Sequence, residues 1–171
     1  MPITLNGSTG AVTGLAALPD SAMASGSVIQ VVSSTKTDTF TTSSTSFVDV
    51  GSLSVDITAT NSSNKMLVRV YVFANCSDSA VLRLMFDSTA VGNGTGGSSD
   101  NNGFAMVRQD DGNLGSGYGI EILHTPSDTS QHTYKVQARA TSGSDTLAIN
   151  RRQDDTSFGL SSSITAMEVA A

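Results

Sequence analysis

Residues 117–141, GYGIEILHTPSDTSQHTYKVQARAT, constrain the fold of this chain more than any other stretch. His132, Tyr134, Val136, Ala138 and Ala140 share one face of a period-two pattern, and Thr133, Lys135, Gln137 and Arg139 share the other. Upstream, Tyr118, Ile120, Ile122 and His124 alternate with Gly119, Glu121 and Leu123. Such alternation marks strands that are packed on one side and wet on the other. The intervening Thr-Pro-Ser-Asp-Thr-Ser is turn chemistry, because proline fixes φ and Ser and Asp cap loose backbone groups. The two strands are therefore expected to form a hairpin, with an apolar face completed by residues 66–74.

The rest of the chain agrees with a β fold. Ser and Thr supply roughly a quarter of the residues, and their hydroxyls compete with helix interiors for backbone groups. The 171 residues allow one domain with a short appendage. A single cysteine, Cys76, rules out an intrachain disulfide and reads as a small buried residue at a strand end. The formal charge of −6 lacks the clustered basic face that nucleic acid requires, since Arg151-Arg152 is answered by Asp154-Asp155. No apolar run approaches the ~18 residues of a membrane span, and no secretory leader is recognisable, so membrane insertion is not expected. The expectation is a chain made in a cytoplasm that works outside a cell only after lysis or within a larger particle.

In chain order, residues 1–26 hold short apolar pieces separated by Gly, Ser and Thr. They read as an arm that attaches through Ile3, Leu5, Val12, Leu15, Leu18 and Met23, with one helical turn expected around residues 19–24. Residues 27–171 form the body. Strands are expected at 27–33, in the Thr-rich 36–42, at 47–50, and at 53–59 with Leu53, Val55, Ile57 and Ala59 inward. Residues 65–75 carry Met66, Val68, Val70, Val72 and Ala74 on one face and Leu67, Arg69, Tyr71 and Phe73 on the other. A strand apolar on both sides belongs at the centre of a sheet, with its second face covered by the arm or a neighbouring subunit. Further strands are expected at 80–87, 104–108, 146–150 and 163–169. Nine or ten short strands without helical periodicity point to an all-β fold, an antiparallel β-sandwich of jelly-roll type with an extended N-terminal arm.

Catalytic signatures are thin. His124 and His132 flank the turn near Asp128, and read as surface or subunit-contact residues rather than metal ligands. The Gly92–Gly97 run lacks the Lys-Ser/Thr end and following helix of a phosphate loop. The Asx-rich turns at 100–103 and 110–113 lack the spacing of a calcium loop. No catalytic residue, cofactor or metal is assigned. Candidate surface-binding positions fall in two loops and their borders: Asn93, Thr95, Asp100, Asn101, Asn102 and Phe104, then Asp110, Asp111, Asn113 and Tyr118. Loops carry recognition more often than the scaffold beneath them.

ITLNGSTGAVTGLAALP, GSVIQVVSSTKTDTFTTSSTSFVDVGSLSVDITATNSSNKMLVRVYV, HTPSDTSQHTYKVQARATSGSDTLAINR and the closing SSSITAMEVAA together resemble a family of small virion proteins of tailed phages, especially phages of marine and freshwater bacteria. The resemblance implies a trimeric β-sandwich without enzyme activity, and it brings no catalytic motif. The expected role is a short tail fibre or fibre-tip subunit. Its partners would be other virion proteins of the tail or capsid, further copies of itself in a homotrimer, and a host cell-surface glycan met through the loops. A capsid decoration (cement) protein is the alternative, and a carbohydrate-active enzyme or sugar-binding module a remote one.

Overall fold

The computed structural model describes the backbone of residues 4–5 and 12–13 and all of residues 23–98, 101–108, 114–152 and 157–171. No α-helix occurs among the described residues, so none is long and apolar enough to cross a membrane. Two small strands, β1 (Thr4–Leu5) and β2 (Val12–Thr13), pair antiparallel in the arm with Leu5 opposite Val12. Ile3, Leu15, Leu18 and nearly all of the expected helical turn lie outside the described residues, whereas Met23 is half-buried.

The body consists of two antiparallel sheets. One contains β3 (Val28–Lys36), β4 (Phe40–Thr42), β6 (Lys65–Cys76), β10 (Ser116–His124), β12 (Leu147–Ile149) and β13 (Ser162–Val169). The other contains β5 (Val48–Thr58), β7 (Ser79–Phe86), β8 (Thr89–Ala90), β9 (Ala105–Arg108) and β11 (Gln131–Ala140). Their inner faces share one apolar core, as in a β-sandwich. Met66, Val68, Val70, Val72 and Ala74 line it from β6, Leu53, Val55 and Ile57 from β5, and Tyr134, Val136 and Ala138 from β11. Cys76 ends β6 fully buried, and burial pushes its thiol pKa up.

The expected hairpin is not formed. β10 pairs with β6, Ile120 opposite Val70, while β11 lies in the other sheet between β5 and β7. Residues 125–130 are a connection between the two sheets. Each strand has the inward face that the alternation predicts, but alternation does not specify the neighbour. A second correction concerns residues 47–59. Gly51-Ser52 does not separate two strands; β5 runs through it. Lys135 faces Ser54 and Gln137 faces Asp49, so four residues of β5 oppose Val136 alone. Ser52 absorbs the irregularity with φ of 65°, and both Val50 and Leu53 still point inward. The Thr-rich stretch contributes only the three residues of β4, because β3 extends to Lys36.

Two buried polar groups fasten the ends. Asn150, with φ of 61°, donates to the carbonyls of Lys36 (2.9 Å) and Asp38 (3.0 Å) and accepts from the Ser162 hydroxyl (2.6 Å). Glu168 points into the sandwich from β13. Its Oε1 accepts from the Thr60 amide (2.7 Å), the Thr60 hydroxyl (2.6 Å) and Asn64 Nδ2 (2.7 Å), and Gln30 Nε2 donates to Oε2. Burial alone would raise the Glu168 pKa, but the donors from Asn64, Thr60 and Gln30 outweigh it and hold the carboxyl below its ordinary 4.5. Its stabilisation is therefore present above that value and lost as pH falls through the folded pKa. Glu168→Ala, which strands these donors, should cost about 3 kcal/mol in urea unfolding at neutral pH. The acid limb of the stability–pH curve should flatten in the same variant. A loss under about 0.5 kcal/mol would refute this role.

Candidate functional site

Several of the loop residues singled out by composition make contacts within the fold. Asn93 pairs with one residue of β7 as a strand would, accepting from the Leu84 amide (3.1 Å) and donating to its carbonyl (2.9 Å). Asn102 accepts from the Gly97 amide (3.1 Å), and Asn101 Nδ2 donates to the Ser98 hydroxyl (3.2 Å). Tyr118 is not on a loop: it faces inward from β10 and packs against the core. Phe104 is half-buried against the same core. Thr95 and Asn101 are exposed. Asp100, Asp110, Asp111 and Asn113 lie outside the described residues. What the first loop does build is one wall of a shallow groove of about 310 Å³, where Asn101, Phe104, Ala105 and Met106 meet Val81 and Thr141.

The two histidines are brought together across the sheets. The Phe86 ring lies between them, with centroids 4.6 Å from His124 and 4.4 Å from His132. His132 Nδ1 bonds Asp87 Oδ2 (2.7 Å), and Nε2 bonds Asp128 Oδ1 (2.9 Å). A ring with a carboxylate at each nitrogen is stabilised as the imidazolium. The Asp87 hydrogen bond first, then Asp128, raises its pKa. His124 instead bonds the Tyr134 hydroxyl through Nδ1 (2.7 Å), and burial, then the charge of His132, lowers its pKa. Burial also raises the Tyr134 pKa, which keeps the phenol protonated. The cluster pins the inter-sheet connection through Asp128 and the β7–β8 turn through Asp87. Among the described residues no three His, Cys, Asp or Glu gather as metal ligands would.

The more accessible chemistry lies on the outer face of the six-stranded sheet, which sequence reasoning expected to be covered. In the single chain, Leu67 and Phe73 are half-buried and Arg69 and Tyr71 are exposed. Strand register arranges this face in rows. Val31, Met167, Leu67 and Leu123 lie side by side across four strands, with Val31 55 % and Leu123 56 % exposed. The next row is Ser33, Thr165, Arg69 and Glu121, in which Arg69 Nε meets Glu121 Oε2 at 2.7 Å. Beyond it come Thr35, Ser163, Tyr71 and Gly119.

Gly115, just before β10, and Gly117 within it shape the third row and the one after it. Phe73 leans over Gly115, and Tyr71 leans over Gly117, where a Cβ would sit 2.6 Å from the tyrosine hydroxyl. Because Tyr71 leans away from its register partner, no side chain among the described residues covers Gly119. The result is a groove of about 500 Å³ bordered by Arg69, Tyr71, Glu121, Ser163, Thr165 and Met167. The sequence carries a signal of this groove: Gly117 and Gly119 alternate with inward Tyr118 and Ile120, and two outward aromatics, Tyr71 and Phe73, sit at matching spacing in β6.

No protein-family model matches this chain, and no curated protein matches its sequence.

Protonation of the histidine cluster is directly measurable. The folded pKa of His132 lies above the ordinary 6.5, so its contribution to stability is complete below that pH and drains away as pH rises through the folded value. In an NMR titration His132 should titrate above 6.5 and His124 below it. His132→Gln should remove the stability slope on the alkaline side. Reversal of the two titration midpoints would overturn the assignment.

Proposed function

We propose that the chain is a structural subunit of a tailed-phage particle, acting by binding rather than by catalysis. It has a jelly-roll body, assembles as a homotrimer, and attaches to other virion proteins through residues 1–26. The order of the eight main strands supports the jelly roll. Numbered along the chain as β3, β5, β6, β7, β9, β10, β11 and β13, they lie 1-8-3-6 in one sheet and 2-7-4-5 in the other. That order nests antiparallel pairs as a jelly roll does.

The observation that carries the assembly reading is the row Val31–Met167–Leu67–Leu123. Apolar side chains in register across four strands resemble half of an interface, since a monomer gains nothing by keeping them wet. Covering each is worth on the order of 1 kcal/mol. Gly26 and Ala170 are joined by a backbone hydrogen bond (2.9 Å), so the arm enters the body beside the end of β13 that carries this row. A short tail fibre or fibre tip suits the arrangement, with tail proteins at the arm and a host glycan at the exposed face. The sequence resemblance to phage virion proteins supports the setting.

Light scattering at micromolar concentration should give three times 17.5 kDa, and Leu67→Asp should return the mass to 17.5 kDa. A monomeric native chain contradicts the trimer. Quantitative mass spectrometry of purified particles should find the chain at a few tens of copies or fewer, a multiple of three. Hundreds of copies would assign it to capsid decoration instead, and its absence from particles would refute the whole reading.

A further inference from the structure

The geometry points to a sugar-binding site in the groove above Gly119, one that takes a pyranose unit of a neutral glycan. Three features of the outer face converge there. Tyr71 is 50 % exposed even though its ring covers Gly117. One side of the ring is thus held on backbone while the remainder is offered to solvent, a fixed platform that loses little entropy when a ligand stacks on it. The C–H face of a pyranose is apolar and edged with partial positive charge, which matches the negative face of a phenol ring.

Space is provided by Gly119. Among the described residues, and apart from its own chain neighbours, the one atom within 4 Å of where its Cβ would stand is the Val70 carbonyl oxygen, at 3.0 Å. The groove floor there is backbone, and a ring can approach more closely than on an ordinary strand face. The volume of about 500 Å³ lies inside the usual small-ligand range of roughly 300–1,000 Å³.

Polar partners stand on both sides. The paired Arg69 and Glu121 offer donors and acceptors a few ångströms apart, the complement of vicinal hydroxyls. Ser163 and Thr165 add hydroxyls from β13. The charges of Arg69 and Glu121 cancel, and the chain as a whole carries −6. A neutral sugar therefore meets no field opposing it, whereas an acidic one does. Met167 closes the groove on the side of the apolar row, so the subunit interface and the sugar site adjoin without coinciding.

The site deepens the host-surface part of the proposed function and rests on that reading only for the biological source of the glycan. Binding is measured on the isolated full chain by saturation-transfer NMR, with the methyl glycosides of glucose, galactose, mannose and N-acetylglucosamine as probes and methyl glucuronide as the charged comparison. At least one neutral glycoside should receive saturation. Tyr71→Ala should weaken that transfer roughly five-fold. Tyr71→Phe should retain it, and Met106→Ala in the other groove should not change it. If Tyr71→Ala disturbs the fold by NMR, Glu121→Ala serves as the second disabling variant and should also weaken transfer. No transfer to any neutral glycoside, transfer to glucuronide alone, or transfer indifferent to both Tyr71→Ala and Glu121→Ala would overturn the site. Particle composition does not enter this measurement, so a chain missing from particles and a chain that binds no sugar are separate failures.

Discussion

The whole architecture depends on one strand being paired along both edges. β6 bonds to β10 on one side and to β13 and then β12 on the other. A central strand has no water along its edges, so its backbone groups must be satisfied by neighbours, and those neighbours come from distant parts of the chain. Its inward residues Met66 to Ala74 then fill the middle of the core. From this follow the sandwich, the separation of β10 from β11, and the exposure of Arg69 and Tyr71 on the opposite face. A chain without an intrachain disulfide relies on such packing, with Glu168 and Asn150 as polar fasteners at its ends.

The separation of β10 from β11 also explains the histidine cluster. A hairpin would have placed His124 and His132 on one ribbon. The inter-sheet crossing instead leaves them on facing sheets with Phe86 between, and gives them opposite electrostatic settings. His132 sees two carboxylates, and His124 sees a buried phenol. Two residues of one type thus acquire pKa values displaced in opposite directions by position alone.

How much of this could be read beforehand depends on what each feature requires. The inward faces of β5, β6, β10 and β11 were legible because period two is a local property, as Leu53, Val55 and Ile57 or Tyr134, Val136 and Ala138 illustrate. Pairing was not legible. It is a property of two segments at once, and the six-residue connector at 125–130 resembles a hairpin loop while serving as a crossing. Ser52 misled for a related reason: a polar Gly-Ser pair signals a break, yet a positive φ lets the strand continue. The groove was hidden likewise, since Gly119 acquires meaning only when register sets it opposite Tyr71, 48 positions earlier. Composition drew attention to Asn93 and Tyr118, whose side chains are spent on the scaffold.

The floor of the groove is main chain, and its borders are side chains that the core does not use. Exchanges at Ser163, Thr165 or Glu121 can therefore change the chemistry of the groove while Val70 and Ile164 beneath it stay as they are. The proposed site and the core occupy different atoms of the same strands. On the proposed sugar-binding reading, the borders of this face can be retuned without disturbing the core, provided that Gly117 and Gly119 remain bare.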